Sequence, residues 1–251
     1  NRSVIIEQFE KKISEILDKA VKSNLQGEYE KCRWIHNYLV RNTQYNYEAL
    51  KKPNDYPDSY TAKGAIMDGL AVCEGISKAF KLLCDRLGVD AMIILGTSSQ
   101  AGYGINIPHA WNMVRFNNEY THVDVTWDRG VSETSRFTRY DYFCVSDKWM
   151  QRDHDYSSFP ECTTDNYSYF SRRNRCFSRG KKLQVYLDTE LKKGSSILYF
   201  KIDVPKDKMA SVQTKVQEQV SRSISSEMHS AYNLEMTLNE KQMCYFFRIK
   251  S

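Results

Sequence analysis

Two runs separated by Asn117-Asn118 constrain this chain more than any other segment. HAWNMVRF (109–116) and THVDVTWD (121–128) are rich in aromatic and β-branched residues, the composition of strands. Paired asparagines tolerate the left-handed backbone that a two-residue hairpin turn demands. The spacing predicts an antiparallel pair in which His109 faces Thr126, Trp111 faces Asp124 and Met113 faces His122. His109, His122 and Asp124 then share one face. Diagonal neighbours on such a face stand about 7–8 Å apart at Cβ, within reach of a carboxylate for an imidazole. A three-residue turn would send His109 and Asp124 to opposite faces.

Elsewhere the pattern alternates between helix and strand. Residues 4–23 place Ile6, Phe9, Ile13, Ile16, Leu17 and Ala20 on one helical stripe, and 28–42 repeats it through Ile35, Tyr38 and Leu39. ALKKPNDYPDSYTAKG (49–64) is rich in turn formers and is expected to be a loop. A helix is expected at 74–87, with Ile76, Ala79, Phe80, Leu83 and Leu87 apolar and Gly88 as its stop. AMIILG (91–96) follows as a buried strand, then 97–108 as a small-residue loop, then the hairpin, then 139–147 as a strand running into a helix cap. Beyond a basic run the expected elements are strands at 183–188 and 196–203, a helix at 205–226 and a hairpin at 232–250 turning near Asn239-Glu240. The expected organisation is an N-terminal helical segment at 1–58, a core at 59–172 and a small α+β unit at 180–251.

Composition excludes some classes. No stretch approaches the roughly 20 apolar residues of a membrane span. A net charge of +5 over 251 residues does not by itself imply a nucleic-acid partner. The seven cysteines (32, 73, 84, 144, 162, 176 and 244) form no CxxC pair and no zinc-finger spacing, so neither a structural metal nor a cofactor is expected. The chain starts at Asn1, as a mature or trimmed form does. Together with the odd cysteine count and the basic run, this favours a secreted or cell-surface location over the cytoplasm.

Cys73 is the residue with the most chemistry in view. Free cysteines are usually small core residues, and Cys84, inside the helix near its apolar face, suits that role. Cys73 falls instead in the first helical turn. There unpaired backbone N–H groups favour an anion, lower a thiol's pKa and can serve a developing oxyanion. A nucleophilic cysteine needs a base and a group to orient the base. The hairpin offers His109 or His122 as base, with His109 favoured because it adjoins the 97–108 loop, and Asp124 as orienter.

These segments carry a resemblance. GLAVCEGISKAFKLLCDRLGV, HAWNMV and HVDVTWD, in that order, resemble the bacterial transglutaminase-like superfamily, whose core is related to papain-type cysteine proteases. WIHNYLVRNTQYNY (34–47) and YFCVSD (142–147) are similar to further segments of that family, so the resemblance spans roughly 28–170. It implies an α+β fold, with a cysteine-bearing helix packed on an antiparallel sheet that carries the other two residues. It also implies a catalytic triad of Cys73, His109 and Asp124, which decides between the two histidines. The implied chemistry is an acyl-thioester formed on a protein or peptide carboxamide. Water as acceptor makes a peptidase or amidase, which is favoured as the default; a lysine amine makes a crosslinking transglutaminase; a core that has lost activity makes a binding module. The second oxyanion donor is not identifiable, and Tyr60 is a bare guess.

The remaining features are expected to be structural. Trp111 and Trp127 are expected in the core, and Glu74 in the first helical turn. DHDY (153–156) is expected to be a solvated loop rather than a metal pair. His36 and His229 lie in charged helical surroundings with no partner legible. Arg172, Arg173, Arg175, Arg179, Lys181 and Lys182 form the acid-free basic run, expected to be a solvated linker, with docking to a cell-wall or other anionic polymer as the functional alternative.

Overall fold

The computed structural model describes residues 2–100, 104–157, 160–178, 180–228 and 231–250. The chain falls into two compact units, Asn1–Tyr167 and Ser168–Ser251.

In the first unit, helix α1 (Arg2–Lys22) buries Ile13, Ile16 and Ala20 but leaves Val4, Ile5 and Ile6 exposed. The expected stripe is therefore a packing face from the half-buried Phe9 onward. Helix α2 (Gly27–Asn42) buries Cys32, Ile35, His36 and Leu39. Strand β1 (Gln44–Tyr45) and the short helix α3 (Tyr47–Lys51) follow. The stretch expected as a loop at 49–64 begins in the last residues of α3 and holds two tight 3₁₀ turns, Pro53–Asp55 and Pro57–Tyr60; a wider π-helical turn, Gly64–Asp68, then leads to strand β2 (Leu70–Ala71). β2 runs parallel to β1, with Tyr45 opposite Ala71. Helix α4 (Cys73–Leu87) begins two residues later and stops at Gly88. Gly88 adopts φ 71° and turns its N–H back to the Asp85 and Cys84 carbonyls, the left-handed closure that glycine allows without a Cβ clash.

The sheet then forms from β3 (Ala91–Gln100), β4 (Gly104–Phe116), β5 (Glu119–Val123), β6 (Phe143–Val145) and β7 (His154–Asp155), in the antiparallel order β6-β5-β4-β3-β7. Helices α5 (Val125–Ser135) and α6 (Asp147–Met150) interrupt it. The hairpin register is as the sequence predicts. Met113 pairs with His122 and Phe116 with Glu119, and Asn117 and Asn118 have φ 48° and 66°.

Two expectations in this region fail. Of the described residues in 97–108, 97–100 and 104–108 are strand, not loop, because Thr97, Ser98 and Gln100 pair with Pro108, Ile107 and Gly104 across β4, while Ser98 also pairs with His154 on β7. The run 121–128 is strand only through Val123. Asp124 accepts the Trp127 N–H at 3.0 Å and caps α5, an aspartate's usual action at a helix start.

α4 packs on β3 and β4. Phe80, Leu83, Trp111, Val114 and Phe143 are essentially inaccessible to solvent, and burying an apolar side chain of this size contributes about 1.5–3 kcal/mol. Polar contacts fix the helix to the strand. Ser77 Oγ donates to the Ala110 carbonyl at 2.9 Å, and Asn112 Nδ2 donates to the Ser77 and Met92 carbonyls at 3.1 and 3.3 Å.

The second unit contains α7 (Tyr169–Arg172), β8 (Cys176–Phe177), α8 (Gly180–Lys192), β9 (Ile197–Ile202), α9 (Met209–Glu227), β10 (Asn233–Asn239) and β11 (Cys244–Lys250). Its sheet order is β10-β11-β9-β8, with β8 parallel to β9. The strand expected at 183–188 is instead part of α8. Leu183 and Leu187, four apart, are buried while Val185 is 62% exposed, the pattern of a helix rather than of period two. Among the described residues no helix is long and apolar enough to cross a membrane.

Candidate active site

Cys73 is the first residue of α4 and is half-buried. His109 lies on β4, and Asp124 sits where β5 gives way to α5. The structure brings all three together. His109 Nε2 stands 2.6 Å from Asp124 Oδ2, and the imidazole lies close enough to Cys73 for each group to shift the other's titration. With Nε2 taken by Asp124, Nδ1 is the nitrogen left for the thiol.

The charges are arranged for a thiolate. Burial disfavours the thiolate, but hydrogen bonding and charge from His109, with the Ala110 backbone N–H, lower the Cys73 pKa overall. Burial likewise disfavours the His109 imidazolium, yet the neighbouring Asp124 carboxylate and the Cys73 sulfur raise that ring to about 10. Against its burial, Asp124 is held far below the usual carboxylate range by His109 and by hydrogen bonding from His154. The N-terminus of α4 adds its own favourable field at the sulfur. Glu74 is in the first turn as expected and pairs with Lys78 at 2.5 Å on the exposed side.

The rival histidine is engaged elsewhere. His122 Nδ1 accepts the Trp111 indole N–H at 3.1 Å, and its Nε2 meets Asp147 Oδ1 and the Tyr156 hydroxyl, both at 2.9 Å. An indole nitrogen only donates, so the His122 proton sits on Nε2. Burial lowers the His122 pKa despite Asp147. His122, Asp147 and Cys162 cluster closely enough to bind a metal ion. However, Nε2–H turns a proton, not a lone pair, toward that cluster. His109, Asp124 and His154 form a second such group. There the 2.6 Å and 3.1 Å separations are hydrogen-bond lengths.

Three residues join the site that sequence reasoning missed or misplaced. His154, expected in a solvated loop, is buried, with Nε2 3.1 Å from Asp124 Oδ2 and Nδ1 2.7 Å from Asp153 Oδ1. Gly96 makes this possible. A Cβ there would lie 2.4 Å from the Asp155 carbonyl and 2.8 Å from Trp111 Cη2, so glycine lets β7 approach β3. Tyr45 is the tyrosine beside Cys73. It lies near enough to Cys73 that burial and the nearby sulfur raise its hydroxyl's pKa. Pairing with Ala71 on β2 carries it there. Tyr60 instead donates its hydroxyl to the Ala49 carbonyl at 2.9 Å.

Other expectations sort as follows. Trp111 is buried, as expected of a core residue, whereas Trp127 is half-exposed and lies 4.5 Å from the His154 ring and 6.0 Å from His109. His36 does have a partner, since its Nε2 lies 2.9 Å from Asp128 Oδ2 with both groups buried. His229 and Arg179 lie outside the described residues. Arg175 pairs with Glu190 at 3.5 Å, so it is not part of a free basic strip; Arg172, Arg173, Lys181 and Lys182 are exposed.

Residues 16–125 match the family model of the transglutaminase-like superfamily. The kyphoscoliosis peptidase of Mus musculus is 25% identical over 134 residues, which is 50% of this chain and 19% of that protein. The chain therefore spans only a small part of that relative. A crystal structure of a TGase aligns over 48% of this chain and 32% of its own, at 19% identity and a TM-score of 0.42.

Proposed function

With a transglutaminase-like core over residues 16–125, the chain, we propose, is a cysteine hydrolase that cleaves carboxamide bonds of a protein or peptide through Cys73, His109 and Asp124. One observation carries this. A thiol at a helix N-terminus lies beside an imidazole whose Nε2 is 2.6 Å from a buried carboxylate, and that imidazole lowers the thiol's pKa.

The steps follow from that arrangement. The Cys73 sulfur attacks the carbonyl carbon, and the C=O π pair moves to oxygen. An oxygen entering beside Cys73 takes the Cys73 N–H and receives the Tyr45 hydroxyl, and donors so placed are worth most where charge develops. As the tetrahedral intermediate collapses, the C–N bond breaks and His109 gives its proton to the departing amine. Asp124 keeps the ring oriented throughout. Water then attacks the thioester while His109 takes its proton. The C–S bond breaks, the acid leaves, and sulfur and imidazolium are restored. A lysine amine in place of water would yield an isopeptide bond from the same thioester. Hydrolysis is favoured as the default outcome and by the peptidase named among the relatives. The complete Cys73–His109–Asp124 set speaks against an inactive binding module.

Incubation with a glutamine-containing protein substrate, with and without a primary amine, tests this. Release of ammonia or of peptide fragments that depends on Cys73 is expected in the absence of amine. Preferential amine incorporation would make the protein a transferase. An iodoacetamide rate at Cys73 equal to a model thiol's at pH 6 would remove both enzyme readings.

A further inference from the structure

Two imidazoles share one oxygen in this site. His109 Nε2 and His154 Nε2 lie 2.6 and 3.1 Å from Asp124 Oδ2. The other nitrogen of His154 meets Asp153 Oδ1 at 2.7 Å, and Asp153 Oδ2 accepts the Tyr142 hydroxyl at 2.8 Å. Both His154 ring nitrogens therefore face carboxylate oxygens, and a ring that donates to both must carry two protons. An imidazolium between two buried carboxylates satisfies all of these contacts. Either carboxylate without it would be a buried charge with fewer donors, which is costly.

We propose that His154 is a positioning residue for the catalytic set: its N–H holds the Asp124 carboxylate ionised and turned so that the same oxygen receives His109 Nε2–H. This inference rests on the assignment of Cys73, His109 and Asp124 as a triad. Asp153 and Tyr142 hold His154 in turn. The titratable groups around it are Asp124 at the β5–α5 junction, His109 on β4, His122 on β5, Asp153 beside it and Tyr142 before β6. Trp111 and Trp127 complete the wall, with ring centroids 5.0 and 4.5 Å away. A neutral side chain at 154 takes one of the two imidazole donors from Asp124 Oδ2. The carboxylate then protonates or rotates more easily, His109 loses its counter-charge, and the Cys73 thiolate loses its cation.

The test is the pH dependence of Cys73 alkylation by iodoacetamide in the full chain. It compares the parent with Asp124→Asn, His154→Gln and Asp153→Asn, and Cys73→Ala measures the background of the other cysteines. The expected result is a parent acid limb below that of a model thiol, abolished in Asp124→Asn. In His154→Gln the limb moves up by about one pH unit, so the rate at pH 6 falls about tenfold, and Asp153→Asn moves it less in the same direction. A merely structural role lowers the melting temperature and leaves the limb in place. A folded His154→Gln with its limb unmoved, or moved to lower pH, overturns the proposal while the triad stands. Should His154→Gln not fold, an unmoved limb in Asp153→Asn overturns it. A parent limb at the ordinary thiol value overturns the triad itself, and this inference with it.

Discussion

The Trp111 indole N–H points at Nδ1 of His122, 3.1 Å away, and so decides which histidine in the hairpin is free to act. An acceptor nitrogen pinned by a buried donor cannot also serve a thiol. Among the described residues no such donor meets His109, which lies beside Cys73 and Asp124 instead. His109→Asn is therefore expected to reduce turnover on the order of 10²-fold or more. His122→Gln is expected to leave turnover near the parent's while lowering stability by about 1–3 kcal/mol through its unpaired buried partners. Steady-state kinetics beside chemical denaturation separates the two; equal kinetic losses would contradict the assignment.

A second prediction concerns pH and stability. His109 is raised from 6.5 to about 10, while Cys73 is lowered from 9.0. The raised histidine contributes stability that is complete below 6.5 and is lost as pH climbs toward 10. The lowered thiol contributes stability that is complete above 9.0 and is lost as pH falls through its folded value. The two slopes oppose each other near pH 7–9, because folding moves one proton from sulfur to ring. In Cys73→Ala only the histidine slope remains. Its unfolding free energy is expected to fall relative to the parent's by up to about 1.4 kcal/mol per pH unit between pH 7 and 8.5. Urea titrations at several pH values measure the difference, and parallel curves would contradict it.

In the proposed reaction the carbonyl oxygen enters beside Cys73, next to Tyr45. Tyr45→Phe is expected to lower kcat on the order of 10²-fold and to reduce Cys73 alkylation far less, since alkylation develops no oxyanion. Turnover unaffected by Tyr45→Phe would return the second donor to an unknown.

Gly96 admits β7 to the sheet edge. Gly96→Ala is expected to cost about 1–3 kcal/mol, because its Cβ would meet the Asp155 backbone carbonyl at 2.4 Å. Thermal melting measures the cost. Since β7 carries His154, the alkylation profile should shift in the same direction as in His154→Gln. An alanine variant as stable as the parent would show that β7 yields freely.

Much of the site was legible because its signals are local. The Asn117-Asn118 turn fixes a two-residue hairpin and hence its register, as Met113 opposite His122 shows. Helical spacing after Cys73 and the glycine at 88 bound α4 within a residue of expectation. Errors arose where local pattern was ambiguous. LQVYLD fits either period, and the burial of Leu183 and Leu187 against the exposure of Val185 decides for helix. HVDVTWD has strand composition throughout, but the Asp124 cap ends the strand there.

What the sequence determined by itself, then, was a helix opening at Cys73, a hairpin bearing His109, and an aspartate at the hairpin's end. These depend on periodicity, turn chemistry and capping within a few residues. Only the tertiary structure decided that Tyr45 lies beside the sulfur, that His122 is held by Trp111, and that His154 crosses 30 residues of chain to reach Asp124. The first and last of those depend on the pairing of distant strands, β1 with β2 and β7 with β3, and the second on side-chain packing within the hairpin. Such pairing is set by close approach and burial between segments far apart in the chain, which leave no period or motif in any one of them.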